Sequence, residues 1–304
     1  MAEPRGLVAD DPALTSPADD WVSAHLFYQD DLTTLLVRMI PPLVAELAAD
    51  FFFLRYWEGG HHLRLRVRVD GPDDVARVRE LISRHAHDFF GKHPSPDRFT
   101  AADYARLAAN LAAAEQLEHY TTDMYQNNSV RFIDYRREHH RFGDGDTIRA
   151  VERHFVESSR IVLFLLADGT TPAQRDTAAF SMILLTWLHI DASKDATPRW
   201  DSESTSDHAA RYERQAQRLT GLTRRLRAFA GSPSEALGDG ALGSWVRSIR
   251  RLAATIGDDV DGNQVLHTCA HLVCNRLGVT LHEERYLRYL VYRAVMATSE
   301  EDDR

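Results

Sequence analysis

Cysteine is scarce in this sequence of 304 residues: only Cys269 and Cys274 occur. On one helix their side chains would diverge by roughly 140°, too far for an easy disulfide, so a reducing cytoplasm is the simpler setting. Positive charge is also short. Thirty-six Lys and Arg face 45 Asp and Glu, a net charge of -9. That balance leaves no global basic footprint and speaks against direct, sequence-independent binding of nucleic acid. No stretch approaches the roughly 20 apolar residues that a membrane helix needs, and Met1 to Asp20 carries acids and prolines without an apolar core. The expectation is a chain neither secreted nor membrane-spanning. Glycine motifs are missing as well: there is no phosphate-binding loop, no dinucleotide fingerprint after a strand and no glycine-flanked nucleophile elbow around Ser158, Ser159 or Ser181. Nucleotide cofactors and serine hydrolysis therefore lack support.

What is present fits a folded globular chain, with 44% hydrophobic and 27% charged residues. From Asp30, Leu32, Leu35, Leu36 and Met39 follow helical spacing until the double proline Pro41-Pro42, which predicts a helix, a kink and a second short helix. Residues 51–69 change to period two around Gly59-Gly60 and predict a β-hairpin. A helix follows from Asp73. The tyrosine-rich stretch up to Gly143 suggests another strand and an irregular loop, and helical patterns resume at Asp146 and over 173–190. Two polar stretches, 191–210 and 231–243, read as surface loops. The fold class expected is α+β, mainly helical with a small antiparallel sheet built from hairpins. Residues 1–20 are expected to be loosely ordered, 21–298 to form one domain and 299–304 an acidic tail.

Three clusters could carry chemistry. In HHLRLRVRV, alternation puts Leu63, Leu65, Val67 and Val69 on one face and His62, Arg64, Arg66 and Arg68 on the other. The cationic face is either solvated or a carboxylate-binding surface, because guanidinium forks fit carboxylates in pairs. In YRREHHRFGDG, Tyr135, Glu138 and Arg141 lie within seven positions beside a turn, either a polar knot or a charged surface loop. In HTCAHLVCNRLG, His267, His271 and Cys274 share one helical face. That spacing resembles a metal stripe, but no companion ligand set is recognisable. An inert core histidine and a proton-transfer group remain the two readings of His271. Glu138, Glu283 and Glu284 could act as acids or bases, although sequence spacing gives no distance between them.

Taken in order, these segments resemble the SpaB C-terminal domain family, the elimination domain of lantibiotic dehydratases and free-standing thiopeptide biosynthesis proteins. The resemblance runs from Trp21 through FFFLRYWEGGHHLRLRV, YRREHHRFG and VERHFVESS to HLVCNRLGV and Glu283 or Glu284. It implies a lyase that expels glutamate from glutamylated serine or threonine of a ribosomally made precursor peptide. Arg64, Arg66 and Arg141 would bind the substrate, Arg66, Arg141 and His271 would be catalytic, and Glu138 and Asn275 would support them. The expected partners are the glutamylated precursor and a glutamyl-tRNA-dependent glutamylation protein; no metal or organic cofactor is implied. Two departures from the family pattern stand out, Phe142 with Asp144 in the loop after Arg141, and Ser158-Ser159 where an acid and a serine are usual. The alternatives are a pyridine synthase joining two dehydroalanines by a formal cycloaddition, and a non-catalytic subunit that binds leader peptide along a strand edge.

Overall fold

The computed structural model describes residues 15–115, 120–167, 169–190 and 202–302. Its chain groups into two compact units, residues 2–142 and residues 143–304. The architecture is mainly helical α+β with small antiparallel sheets.

The first unit runs β1 (Thr15–Pro17), β2 (Trp21–Phe27), α1 (Leu32–Arg38), α2 (Ile40–Leu47), β3 (Phe51–Tyr56), β4 (His62–Arg68), α3 (Pro72–Lys92), α4 (Ala101–Glu115), β5 (Ser129–Phe132), β6 (Arg136–Glu138) and the single turn α5 (His139–Phe142). A four-stranded sheet has the order β3-β4-β2-β5, and β1 pairs separately with β6. Among the described residues only β3 and β4 make a hairpin; the other pairings join distant stretches. Period-two alternation sends Leu63, Leu65 and Val67 of β4, Ala24 and Leu26 of β2 and Phe53 of β3 to one side, all buried. Helix α3 packs against β2 and β5 and brings Val78, Ile82 and Ala86 out of water, the hydrophobic contribution on which the unit depends.

Local chemistry sets the joints. Asp31 caps α1 by accepting from the Thr33 N–H at 2.8 Å. The double proline lies in the first turn of α2, where amide donors have no helical partner to lose. The β3–β4 turn requires glycine at Gly59: its φ is +78°, and a Cβ there would meet the Tyr125 ring at 2.7 Å. Its N–H donates to the Tyr104 hydroxyl at 2.6 Å, which in turn donates to the Thr121 carbonyl at 2.9 Å.

The second unit is helical: α6 (Gly145–Ala167), α7 (Pro172–Trp187), α8 (Ser202–Glu213), α9 (Ala216–Gly231), a 3-10 turn (Ser234–Leu237), α10 (Ala241–Ala253), α11 (Gly262–Leu277) and α12 (Leu281–Asp302). Trp245 is fully buried and donates its indole N–H to Thr186 Oγ1 and the Met182 carbonyl, each at 3.2 Å. Helix α7 starts from a reciprocal capping box between Thr171 and Gln174. Helix α11 ends on Gly278 in the left-handed region, φ +78°. No described helix is long and apolar enough to cross a membrane.

Several expectations are corrected. Thr15–Pro17, within the segment expected to be loose, is a strand registered on Glu138 to Arg136; residues 1–14 lie outside the described residues. Of the expected loop 191–210, residues 191–201 also lie outside them, and 202–210 are helical. Buried His208 and Tyr212 explain this, since α8 packs on α12 and tertiary contact overrides a polar local composition. In 231–243, Leu237 is buried within the 3-10 turn and Ala241 already begins α10. Both cysteines are buried and free.

Replacing fully buried Phe53 with alanine should cost about 3–5 kcal/mol of stability in urea unfolding. Replacing Phe164, 63% exposed, should stay within about 0.5 kcal/mol.

Candidate active site

The polar face of β4 begins from an unfavourable arrangement, three arginines on alternate residues. The structure grades them. Arg68 is half exposed and lies 3.5 Å from Asp20. Arg66 is only 7% exposed, with its guanidinium 4.5 Å from the centre of the Tyr135 ring and 5.4 Å from that of Phe52. Arg64 sits 3.4 Å over Tyr56 and 3.7 Å from the Glu58 carboxylate. Burial lowers the Arg64 pKa from its ordinary range, against the pull of Tyr56, Glu58 and Glu138. A purely solvated face is thus excluded: two of the three guanidinium groups are withdrawn from water onto aromatic faces.

The second cluster joins the first. Glu138 ends β6, which pairs with β1, and its carboxylate accepts from Arg141 at 2.8 Å. The same carboxylate acts electrostatically on Arg64. Arg64, Glu138 and Arg141 therefore share one charged neighbourhood, and Tyr135 links it to Arg66. Arg137 anchors the segment by donating twice to Asp20, at 2.7 and 2.8 Å. Glu58 was not singled out from sequence; its only local signal was its place beside the hairpin glycines.

In the second unit, His271 lies on α11 and donates from Nδ1 to Glu284 Oε2 at 2.7 Å. Glu284, in the first turn of α12, is buried and also accepts from Arg288 Nε at 2.7 Å. Burial works against its ionised form, but the charges and hydrogen bonds of His271 and Arg288 outweigh burial, so the carboxyl lies below its ordinary range. With Nδ1 engaged, Nε2 is the nitrogen left for proton transfer. Among the described residues no hydrogen bond occupies it. Asn275 is half-buried one turn further along α11. Cys274 faces another fate: burial pushes its thiol well above the ordinary range, which makes it a poor metal ligand. Ser158 and Ser159 are fully buried, with Ser158 Oγ accepting from Arg276 at 3.2 Å.

The loop after Arg141 is pinned on the far side of Phe142. Gly143 has φ +73°, and a Cβ there would meet Asp259 Oδ2 at 2.7 Å. That carboxylate accepts from the Asp144 N–H at 2.8 Å, so the departure from the family pattern has its own tether.

The model of the lantibiotic biosynthesis dehydratase C-terminal family matches residues 21–295, and the chain belongs to that family. No curated protein matches the sequence. Among solved structures, the pyridine synthase TbtD from thiomuracin biosynthesis superposes with a TM-score of 0.71 at 19% identity, over 90% of this chain and 97% of that one. The tRNA-dependent lantibiotic dehydratase MibB from Microbispora sp. 107891 gives 0.62 at 18%, over 98% of this chain but 29% of its own. TsrL gives 0.60 at 17%, over 94% and 96%. At these identities the likeness is one of fold.

Glu284→Gln should lower stability at pH 7 by roughly 1–3 kcal/mol, the cost of leaving the positive partners of a buried acceptor unmatched. Because the folded carboxyl lies below its ordinary value of 4.5, its contribution is present above that pH and is lost as pH falls through the lower folded value. Melting curves of parent and variant should converge as pH falls through that lower folded value.

Proposed function

We propose that this protein is the elimination component of a split peptide dehydratase, removing glutamate from glutamylated serine or threonine to leave dehydroalanine or dehydrobutyrine. The observation that carries the reading is the shared neighbourhood of Arg64, Arg141 and Glu138, next to Arg66 on its aromatic faces. Guanidinium groups withdrawn from water bind carboxylates more strongly than solvated ones, and the leaving group of this reaction is a carboxylate. Arg64, Arg66 and Arg141 bind the glutamyl group and stabilise its negative charge as it departs. His271, oriented by Glu284, exchanges a proton through Nε2. Glu138 holds Arg141, and Asn275 supports His271 from the same helix. The chemistry needs no metal. Its expected substrate is a precursor peptide glutamylated by a partner that draws on glutamyl-tRNA.

A second reading is favoured by the almost complete mutual coverage with TbtD: a formal cycloaddition of two dehydroalanines. That reaction has no glutamate to bind, so it leaves the buried arginines without a ligand.

Incubation with a glutamylated precursor, followed by peptide mass, separates the two. Loss of glutamate supports elimination; a macrocycle formed from a dehydrated peptide supports the cycloaddition. Arg66→Ala and His271→Ala should each remain folded and release glutamate roughly 10²–10⁴ times more slowly, accumulating glutamylated peptide. Parental rates in either variant would refute its assigned role.

A further inference from the structure

The polar face of the sheet carries one imidazole that the proposed chemistry has not used. His25 lies on β2 directly opposite Arg64 of β4 and Arg131 of β5. It is 5% exposed, yet among the described residues neither ring nitrogen has a hydrogen-bond partner. Its orientation is fixed by packing: the ring stacks on His62 with centroids 4.8 Å apart and planes 19° apart. His62 is itself held by a 2.7 Å bond from Nδ1 to the Gly60 carbonyl.

Two neighbours on this face lack partners as well. Ser23 Oγ, one residue pair along the face opposite Arg66, and Arg64 Nε are buried without hydrogen-bond partners. Leaving a buried polar group unmatched costs about 1–3 kcal/mol. Hydroxyl, imidazole and guanidinium can all donate, so a carbonyl oxygen brought to this face would meet donors.

We propose that His25 donates its ring N–H to the backbone carbonyl oxygen of the serine or threonine residue undergoing elimination. This role rests on the glutamate-elimination reading. In that reaction the bond from Cα to hydrogen breaks and the proton passes to the base. Its electron pair becomes the enolate, with negative charge on the carbonyl oxygen. The enolate then collapses to the Cα=Cβ double bond, and the Cβ–O electrons leave with the glutamate carboxylate. The arginines match the carboxylate; the enolate oxygen needs a separate donor that does not reorganise. Burial first, then electrostatic interaction with His62, Arg64 and Arg66, holds His25 far below the ordinary histidine range. It therefore stays neutral, is a feeble base, and serves as a fixed dipole, the condition under which a donor stabilises developing charge.

The test uses the full chain and a peptide bearing one serine glutamylated on its hydroxyl, with glutamate release followed by mass. His25→Phe preserves the ring stack and removes the donor; its kcat should fall roughly 10²–10³-fold while KM stays within a few-fold. His25→Asn restores a neutral donor and should recover at least about tenfold of the loss. Should the phenylalanine variant not fold, His25→Leu against His25→Asn decides in the same way. Parental kcat in the variant lacking a donor, equal impairment of both variants, or an effect confined to KM overturns the assignment of His25 alone. A parental protein that releases no glutamate overturns the elimination reading and this role together.

Discussion

Taking guanidinium groups out of water is the constraint around which the first unit is organised. An ion in a low-dielectric setting loses several kcal/mol of hydration, and two neighbouring cations on one strand repel as well. The chain answers with ring faces and carboxylates supplied from elsewhere. Tyr56 comes from the adjacent hairpin strand, Tyr135 from the approach to β6 and Glu138 from its end. These contributors are far apart in sequence, so the pairing of β1 with β6 and the tethering of the hairpin turn through Tyr104 are conditions for the arginine row as much as features of the fold.

The second unit solves a different problem, fixing one imidazole without immobilising both of its nitrogens. The tight turn between α11 and α12 does this. Gly278 adopts the left-handed conformation that ends α11, and Thr280 and Glu283 then cap α12 reciprocally, with the Glu283 carboxylate accepting from the Thr280 N–H at 2.8 Å. Helix α12 thereby starts with Glu284 against His271. Arg288, one turn along, holds the far carboxylate oxygen. The two adjacent glutamates have separate tasks: Glu283 shapes the helix start, and Glu284 orients the histidine.

Elements governed by local pattern were legible in the sequence. Alternation at Leu63, Leu65 and Val67 gave the buried side of the hairpin, the double proline gave the break between α1 and α2, and Gly59-Gly60 gave the turn. Helix α8 was not legible, because its polar composition gives little sign of a face on which His208 and Tyr212 are buried. The candidate site offered residue types to the sequence but not their supports. Arg64, Arg66, Arg141 and His271 were visible in short motifs. Which carboxylate each would meet depends on strand register and helix packing, quantities that no spacing encodes. Glu284 could be named but not assigned, and Glu58 carried no mark beyond its turn. His25 was hidden for another reason: in a strand as apolar as WVSAHLF, one histidine reads as filling.

The contrast between His25 and His271 shows why residue type alone underdetermines role. His271 is partly exposed, and a buried carboxylate lies against its Nδ1. That carboxylate orients the ring and leaves Nε2 without a hydrogen bond among the described residues. His25 has arginines opposite it on both neighbouring strands and a second imidazole stacked on its face, with no acid bonded to it. A proton added there would sit among positive charges in a buried setting. The first environment favours a group that changes state during a reaction, and the second favours one that cannot. An elimination through an enolate needs both kinds: something to move the proton, and something whose dipole stays in place while charge grows beside it.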